Sequence, residues 1–263
     1  MAVEKTRAIV LKVSPYRESS FLCALLTREL GLVHGMAKGV RRKKSGVPLL
    51  ERGFGVELLV YVRPHRDLHT LASIAVLEYY PSIRADLHKS TLRDMAFECI
   101  VKTMSCDAPH PDVYAFCADL LSHLERHETE ECFPALAWQF FYSFSSLMGF
   151  RPILDTCYRC RKHINPPSGA FLAMERGVVT CEACAGPKEK NGSFLPAYVL
   201  GSLHHGAPAV VPARCRAVPG SEIKRIIRLF AGYCQYHFQN GSDFKSLSFT
   251  DSLLDEPCVI PVA

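Results

Sequence analysis

Acidic residues are nearly missing from one end of this chain. Residues 1–50 hold three Asp/Glu against ten Lys/Arg, a net of +7; because the whole chain nets +5, the remaining residues come to −2. A surplus confined to the first fifth points to a polyanionic partner, the plain alternative being a solvated face. Also missing is any run of the roughly 18 apolar residues that a membrane-crossing helix needs. No secretory leader is expected, since the apolar run after Met1–Arg7 is short and Lys12 closes it. These absences predict a cytoplasmic, reducing location and no membrane partner. There the 12 cysteines would be free thiols or metal ligands rather than a disulfide framework. The common catalytic and nucleotide signatures are absent too: no GxxxxGK followed by Ser or Thr, no GxGxxG, no HExxH and no GxSxG. The expectation is therefore a protein that is not an enzyme, although a dispersed catalytic constellation leaves no such trace.

What is present divides the chain. Short apolar runs at Ala8–Val13, Phe21–Leu26, Val33–Ala37, Val56–Val62 and Thr70–Leu77 are punctuated by glycines, which reads as five short strands in residues 1–80. So few strands left open would expose two edges, so closure into a small barrel is expected. An OB-fold fits, and an SH3-like barrel is the alternative that strand count does not separate. After Pro81 the apolar period lengthens to that of helices. Leu87, Leu92, Met95, Ala96, Cys99 and Ile100 form one stripe; Val113, Phe116, Cys117, Leu120, Leu121 and Leu124 a second; Phe133 to Met148 a third, with Trp138 off it. Helical character returns weakly at Ala197–His205 and firmly at Glu222–Phe238. The expected organisation is α+β: a barrel over 1–80, a helical domain over 81–152 and 197–250, a metal module over 153–196 between its halves, and a tail over 251–263.

Cys157 and Cys160, then Cys181 and Cys184, make two C-x2-C pairs separated by twenty residues. Each close pair lets one tight turn aim two sulfurs at a single ion, and two turns supply four thiolates at tetrahedral corners. One structural Zn2+ is the favoured occupant, in a ribbon-like module with Arg176-Gly177 as its turn. A dithiol redox pair and an iron–sulfur cluster are the rivals. Full four-sulfur ligation would leave no position for activating water. Among the other cysteines, Cys99, Cys117 and Cys234 fall on apolar helix faces and read as core.

Lys38, Arg41, Arg42, Lys43 and Lys44 crowd five cations into seven positions beside Gly39 and Gly46. Such a segment releases counterions on meeting a phosphate backbone, giving salt-sensitive and sequence-blind affinity. These five are the candidate DNA-binding residues, with Arg7, Arg17 and Arg28 as possible additions to the field. Tyr16 and Phe54 are candidate stacking residues that would equally suit the barrel core.

Several of these segments resemble the bacterial RecO family of DNA repair proteins. The resemblance is carried by Ala8-Ile9-Val10-Leu11, Tyr16-Arg17-Glu18-Ser19, Leu26 through Leu32, and Ala37-Lys38-Gly39-Val40-Arg41-Arg42. It continues at Leu147-Met148-Gly149-Phe150-Arg151-Pro152 and at the two cysteine pairs. It implies an N-terminal OB-fold, a helical body with a zinc module, and a recombination mediator associated with the nucleoid. Such a mediator binds single- and double-stranded DNA, anneals complementary strands and works with RecR. Together they load RecA onto strands coated by single-stranded DNA-binding protein. The basic helix bearing Lys224, Arg225 and Arg228 is a candidate surface for that coating protein. The competing reading is a zinc-stabilised protein- or RNA-binding adaptor without annealing activity, and an enzyme is the most distant one.

Overall fold

A computed structural model describes residues 2–39, 50–63, 66–106, 108–127, 133–165, 167–190, 193–204, 214–238, 244–254 and 258–262. The chain divides into two compact units, Met1–His127 and Glu128–Ala263. In the first, strands β1 (Ala2–Tyr16), β2 (Ser20–Thr27), β3 (Gly31–Ala37), β4 (Gly55–Val62) and β5 (Leu68–Glu78) precede helices α1 (Pro81–Ala85), α2 (Leu87–Thr103) and α3 (Pro111–Arg126). In the second, helix α4 (Phe133–Leu147) is followed by β6 (Ile153–Cys157), β7 (Ala170–Ala173), β8 (Val178–Cys181) and β9 (Phe194–Leu195). Then come α5 (Ala197–His204), β10 (Arg214–Val218), α6 (Gly220–His237), α7 (Lys245–Leu253) and β11 (Cys258–Val262).

The five strands close into a barrel in the order β1-β2-β3-β5-β4, with β4 returning to β1. Four seams are antiparallel and only β3–β5 is parallel, which is the OB arrangement. Barrel closure leaves no free edge, as the edge argument requires. The strands are not uniformly short: β1 runs 15 residues because it pairs with β4 through its first half and with β2 through its second. Leu11 is the extra residue of a bulge between Val10 and Lys12, where the register with β2 shifts.

The interior holds Ala8, Val10, Cys23, Leu25, Val33, Val56, Leu58, Val60 and Leu71. Yet Ile9, Leu26 and Leu32, which pair with one another on the opposite face, are also buried. That second face lies where α2 meets β1 and α3 meets β2. Burial on both faces explains why Ala8–Leu11 and Cys23–Leu26 are unbroken apolar runs instead of alternating ones.

Helix α2 starts at Asp86, whose carboxylate accepts from the Lys89 N–H at 2.9 Å. Of its expected stripe, Leu92, Met95, Ala96, Cys99 and Ile100 are buried, but Leu87 is exposed because it occupies the first turn. Leu147 is exposed likewise, in the last turn of α4. In the second unit α4 packs on α6 and α5. Trp138 is fully buried and donates through Nε1 to Ser202 Oγ of α5 at 2.9 Å, so its place off the main stripe has a partner. No helix is long and apolar enough to cross a membrane, among the described residues.

Candidate metal centre and nucleic-acid interface

Strand β6 runs parallel to β8, which pairs antiparallel with β7, and β9 completes a four-stranded sheet. The turn from β7 to β8 comprises residues 174–177, where Gly177 takes φ +61° and donates to Ala173 O at 2.9 Å. A side chain at 177 would strike Tyr233 Oη of α6 at 2.4 Å, and that hydroxyl donates to Phe150 O at 2.9 Å.

The first cysteine pair follows from β6. Cys157 donates its N–H to Lys162 O, and Arg161 N–H returns to Cys157 O, each at 2.9 Å. The resulting tight turn needs a left-handed residue just after Cys160, and Arg161 supplies it at φ +60°. The second pair forms a matching turn, with Cys184 and Ala185 N–H groups both donating to Cys181 O at 3.0 Å. Arg159 ties the two turns together through Cys184 O at 3.0 Å and the Glu189 carboxylate at 3.1 Å. As a result the Sγ atoms of Cys157, Cys160, Cys181 and Cys184 all lie within 4.8 Å of one another.

This cluster can hold a metal ion. Burial pushes the Cys157 thiol up, but backbone N–H groups of Cys160, Cys181 and Arg159 outweigh it and bring that thiol down to about 6. Hydrogen bonds with Cys181 and Cys160 push Cys184 up to about 12. Four thiolates this close repel each other unless a cation sits among them, so the donor set fits a thiophilic divalent ion. By contrast burial pushes Cys23 up to about 11 and Cys117 up to about 12, which leaves both as inert core thiols.

At the barrel, Lys38 follows β3 directly and is exposed. Arg41, Arg42, Lys43 and Lys44 lie outside the described residues. The register places Arg17 at the same barrel end as Lys38, because Phe21 pairs with Ala37 just beyond the β1–β2 turn. Arg17 sets its guanidinium 5.4 Å from the centre of the half-buried Tyr16 ring. Arg28 and Arg7 meet elsewhere, at the opposite end of β2, where Arg28 N–H donates to Arg7 O at 3.0 Å. Of the two candidate stacking residues, Phe54 instead packs against the barrel core and edge-on to Tyr79 at 5.4 Å. On α6, Arg225 donates to Phe194 O of β9 at 2.7 Å, which gives that cation a structural tie.

Comparison with known families matches both halves of the chain. A model described as Recombination protein O N terminal covers residues 1–80, and one described as Recombination protein O C terminal covers residues 84–247. The chain belongs to the RecO family. Among curated relatives named DNA repair protein RecO, that of Prosthecochloris aestuarii is 27% identical over 90% of this chain and 92% of its own. That of Geobacter metallireducens is 32% identical over 70% and 73%, and that of Pelodictyon phaeoclathratiforme 26% over 96% and 99%.

The RecO-like motifs have definite structural duties in this fold. Tyr16-Arg17-Glu18-Ser19 is the β1–β2 turn, with Arg17 at φ +52°. Leu26 through Leu32 is the β2–β3 hairpin: Thr27 Oγ1 donates to Gly31 O at 2.8 Å and accepts from Leu30 N–H at 3.0 Å. Glu29 of that turn accepts from the Thr6 hydroxyl. Leu147 through Pro152 ends α4 in a Schellman cap. There Gly149 at φ +86° donates to Ser146 O, and Phe150 N–H reaches Ser145 O at 2.8 Å.

Proposed function

We propose that this protein is a non-enzymatic mediator of recombinational DNA repair. In this reading it binds single- and double-stranded DNA, anneals complementary strands and, with RecR, helps place RecA on strands coated by single-stranded DNA-binding protein. The observation that carries the reading is membership of the RecO family over both halves of the chain. A closed OB barrel whose one end gathers Tyr16, Arg17 and Lys38 supports it physically. Cations there, continued by Arg41, Arg42, Lys43 and Lys44, would neutralise phosphates on two strands and lower the repulsion that opposes their pairing. No nucleotide hydrolysis is needed for that step.

Cys157, Cys160, Cys181 and Cys184 would hold one Zn2+. The ion supplies folding energy to the module and, with all four positions taken by sulfur, no catalysis. Ligation also fixes the turn from which the Arg159–Glu189 tie extends.

Annealing of complementary strands precoated with their binding protein, without ATP, tests the function. Wild-type protein should accelerate pairing, further so with RecR, and should prefer DNA to RNA. Neutralising Arg41, Arg42, Lys43 and Lys44 together should weaken DNA binding. The salt slope should fall by roughly 0.7 for each phosphate of a single strand that is no longer neutralised. Preference for RNA, or no effect on annealing, would return the protein to the adaptor reading. Unchanged affinity and slope in the quadruple variant would remove the loop from the interface.

A further inference from the structure

The metal module carries its own cations, which the function above leaves unused. Residues 151–190 contain seven Lys/Arg against four Asp/Glu, inside a stretch, 51–263, that is net −2 as a whole. Three of these arginines gather along the β6–β8 edge. Ile153 N–H donates to Gly177 O at 2.7 Å, so the backbone around Arg151 runs beside that around Arg176. Farther along, Tyr158 N–H donates to Val179 O at 2.8 Å. Tyr158 is 44% exposed, and both Arg161 and Arg176 set their guanidiniums over its ring, at 5.4 and 5.6 Å from its centre. Arg151 repeats the pattern on Tyr142, with Nε 3.2 Å from the Tyr142 hydroxyl and the guanidinium 6.0 Å from the ring centre. All three arginines are exposed, and none makes an ion pair among the described residues.

A second observation singles out Arg161. It holds φ +60° at the one position of the cysteine turn where glycine would sit without penalty. A long cationic side chain kept on a strained backbone at an exposed site is a pointer to use. The ring matters as well. By holding two guanidiniums against one aromatic, Tyr158 limits their freedom before binding, so less entropy is lost when they engage a ligand. Guanidinium forks match phosphate oxygens, and the exposed part of the ring that the guanidiniums leave uncovered can meet an unstacked base.

We propose that Tyr158, Arg161 and Arg176, with Arg151 alongside, form a second contact for the sugar–phosphate backbone of a single DNA strand, in addition to the basic barrel end. The inference rests on the DNA-binding reading above and extends it to the metal module. A single strand is the occupant because it brings phosphates to the exposed guanidiniums and unstacked bases to the part of the Tyr158 ring, 44% exposed, that they leave open. The rival role for these cations is to offset the negative charge of a metal held by four thiolates.

The test uses the full chain with Arg161→Gly and Arg176→Gln combined. Glycine accepts the left-handed φ, so the turn and the four sulfurs persist and metal content should match wild type. Anisotropy of a labelled oligothymidylate is then followed across a salt series. Affinity should fall roughly tenfold at low salt, and the slope of log affinity against log salt by about 1.4, for two phosphates at about 0.7 each. Wild-type affinity and slope in the double variant would overturn the proposal while leaving the barrel contact intact. Loss of metal together with affinity would overturn it in favour of the charge-offset role. Failure of the wild-type protein to bind the strand would instead bring down the DNA-binding reading itself.

Discussion

Gly31 shows how much a single residue of a family motif can hold. It sits at φ +73°, and a Cβ there would lie 2.1 Å from Ala108 O, in the chain between α2 and α3. Both the backbone conformation and the close approach exclude a side chain. Gly31→Ala should therefore cost about 3 kcal/mol of stability, read as a lowered urea midpoint at unchanged slope. A midpoint within experimental scatter of wild type would show that the hairpin and the chain beside it shift freely. The motif was visible in the sequence, but its reason was not, since Ala108 lies 77 positions away. Leu87 and Leu147 failed for a related reason. Each continues an apolar period, but at helix ends the stripe has already left its packing partner.

Elements were legible where their signals are local. The four cysteines announce themselves because each pair is one turn, and the strands because apolar runs alternate with glycines. The Arg151, Tyr158, Arg161 and Arg176 seam was illegible, because it is assembled by the parallel pairing of β6 with β8. The two-residue β9 and the β10–β11 pair likewise depend on partners distant in sequence. At this scale the metal module makes a firm prediction. Cys157→Ser or Cys181→Ser should abolish stoichiometric metal binding and loosen the β6–β9 sheet, because thiolate ligation is itself folding energy. Trp138 is the chain's one tryptophan and lies in the second unit, bonded to Ser202. Its emission therefore reports that unit, and should shift in the cysteine variants as metal is lost. Protein purified anaerobically without any bound metal would sink the structural-metal assignment.

At the scale of the whole molecule, contacts fall into two units, and the two kinds of candidate site residue divide between them. The barrel end with Lys38 and Arg17 lies in Met1–His127; the cysteine cluster and its arginines lie in Glu128–Ala263. Charge counting in the sequence located Lys38 and the four cations that follow it, because they crowd into seven positions, whereas Arg17 joins Lys38 only through the strand register. It diluted the second group, whose arginines are interleaved with acids. Only the folded chain separates them, by pairing Arg159 with Glu189 and leaving Arg161 and Arg176 on a tyrosine.

The barrel's closing seam carries one more consequence. The parallel β3–β5 pairing spans four residue pairs, His34–Leu68 through Ala37–Leu71, against eight for β1–β2. Short seams open most readily, so amide hydrogens along His34–Ala37 should exchange with solvent faster than those of β1. The seam ends one residue before Lys38. A polyanion gripping that cation and its neighbours favours the closed barrel by mass action. Bound DNA should thus slow deuterium uptake along His34–Ala37 and Leu68–Leu71, making the seam a reporter of occupancy. Equal uptake with and without saturating DNA would mean that the strand is held without drawing on barrel closure.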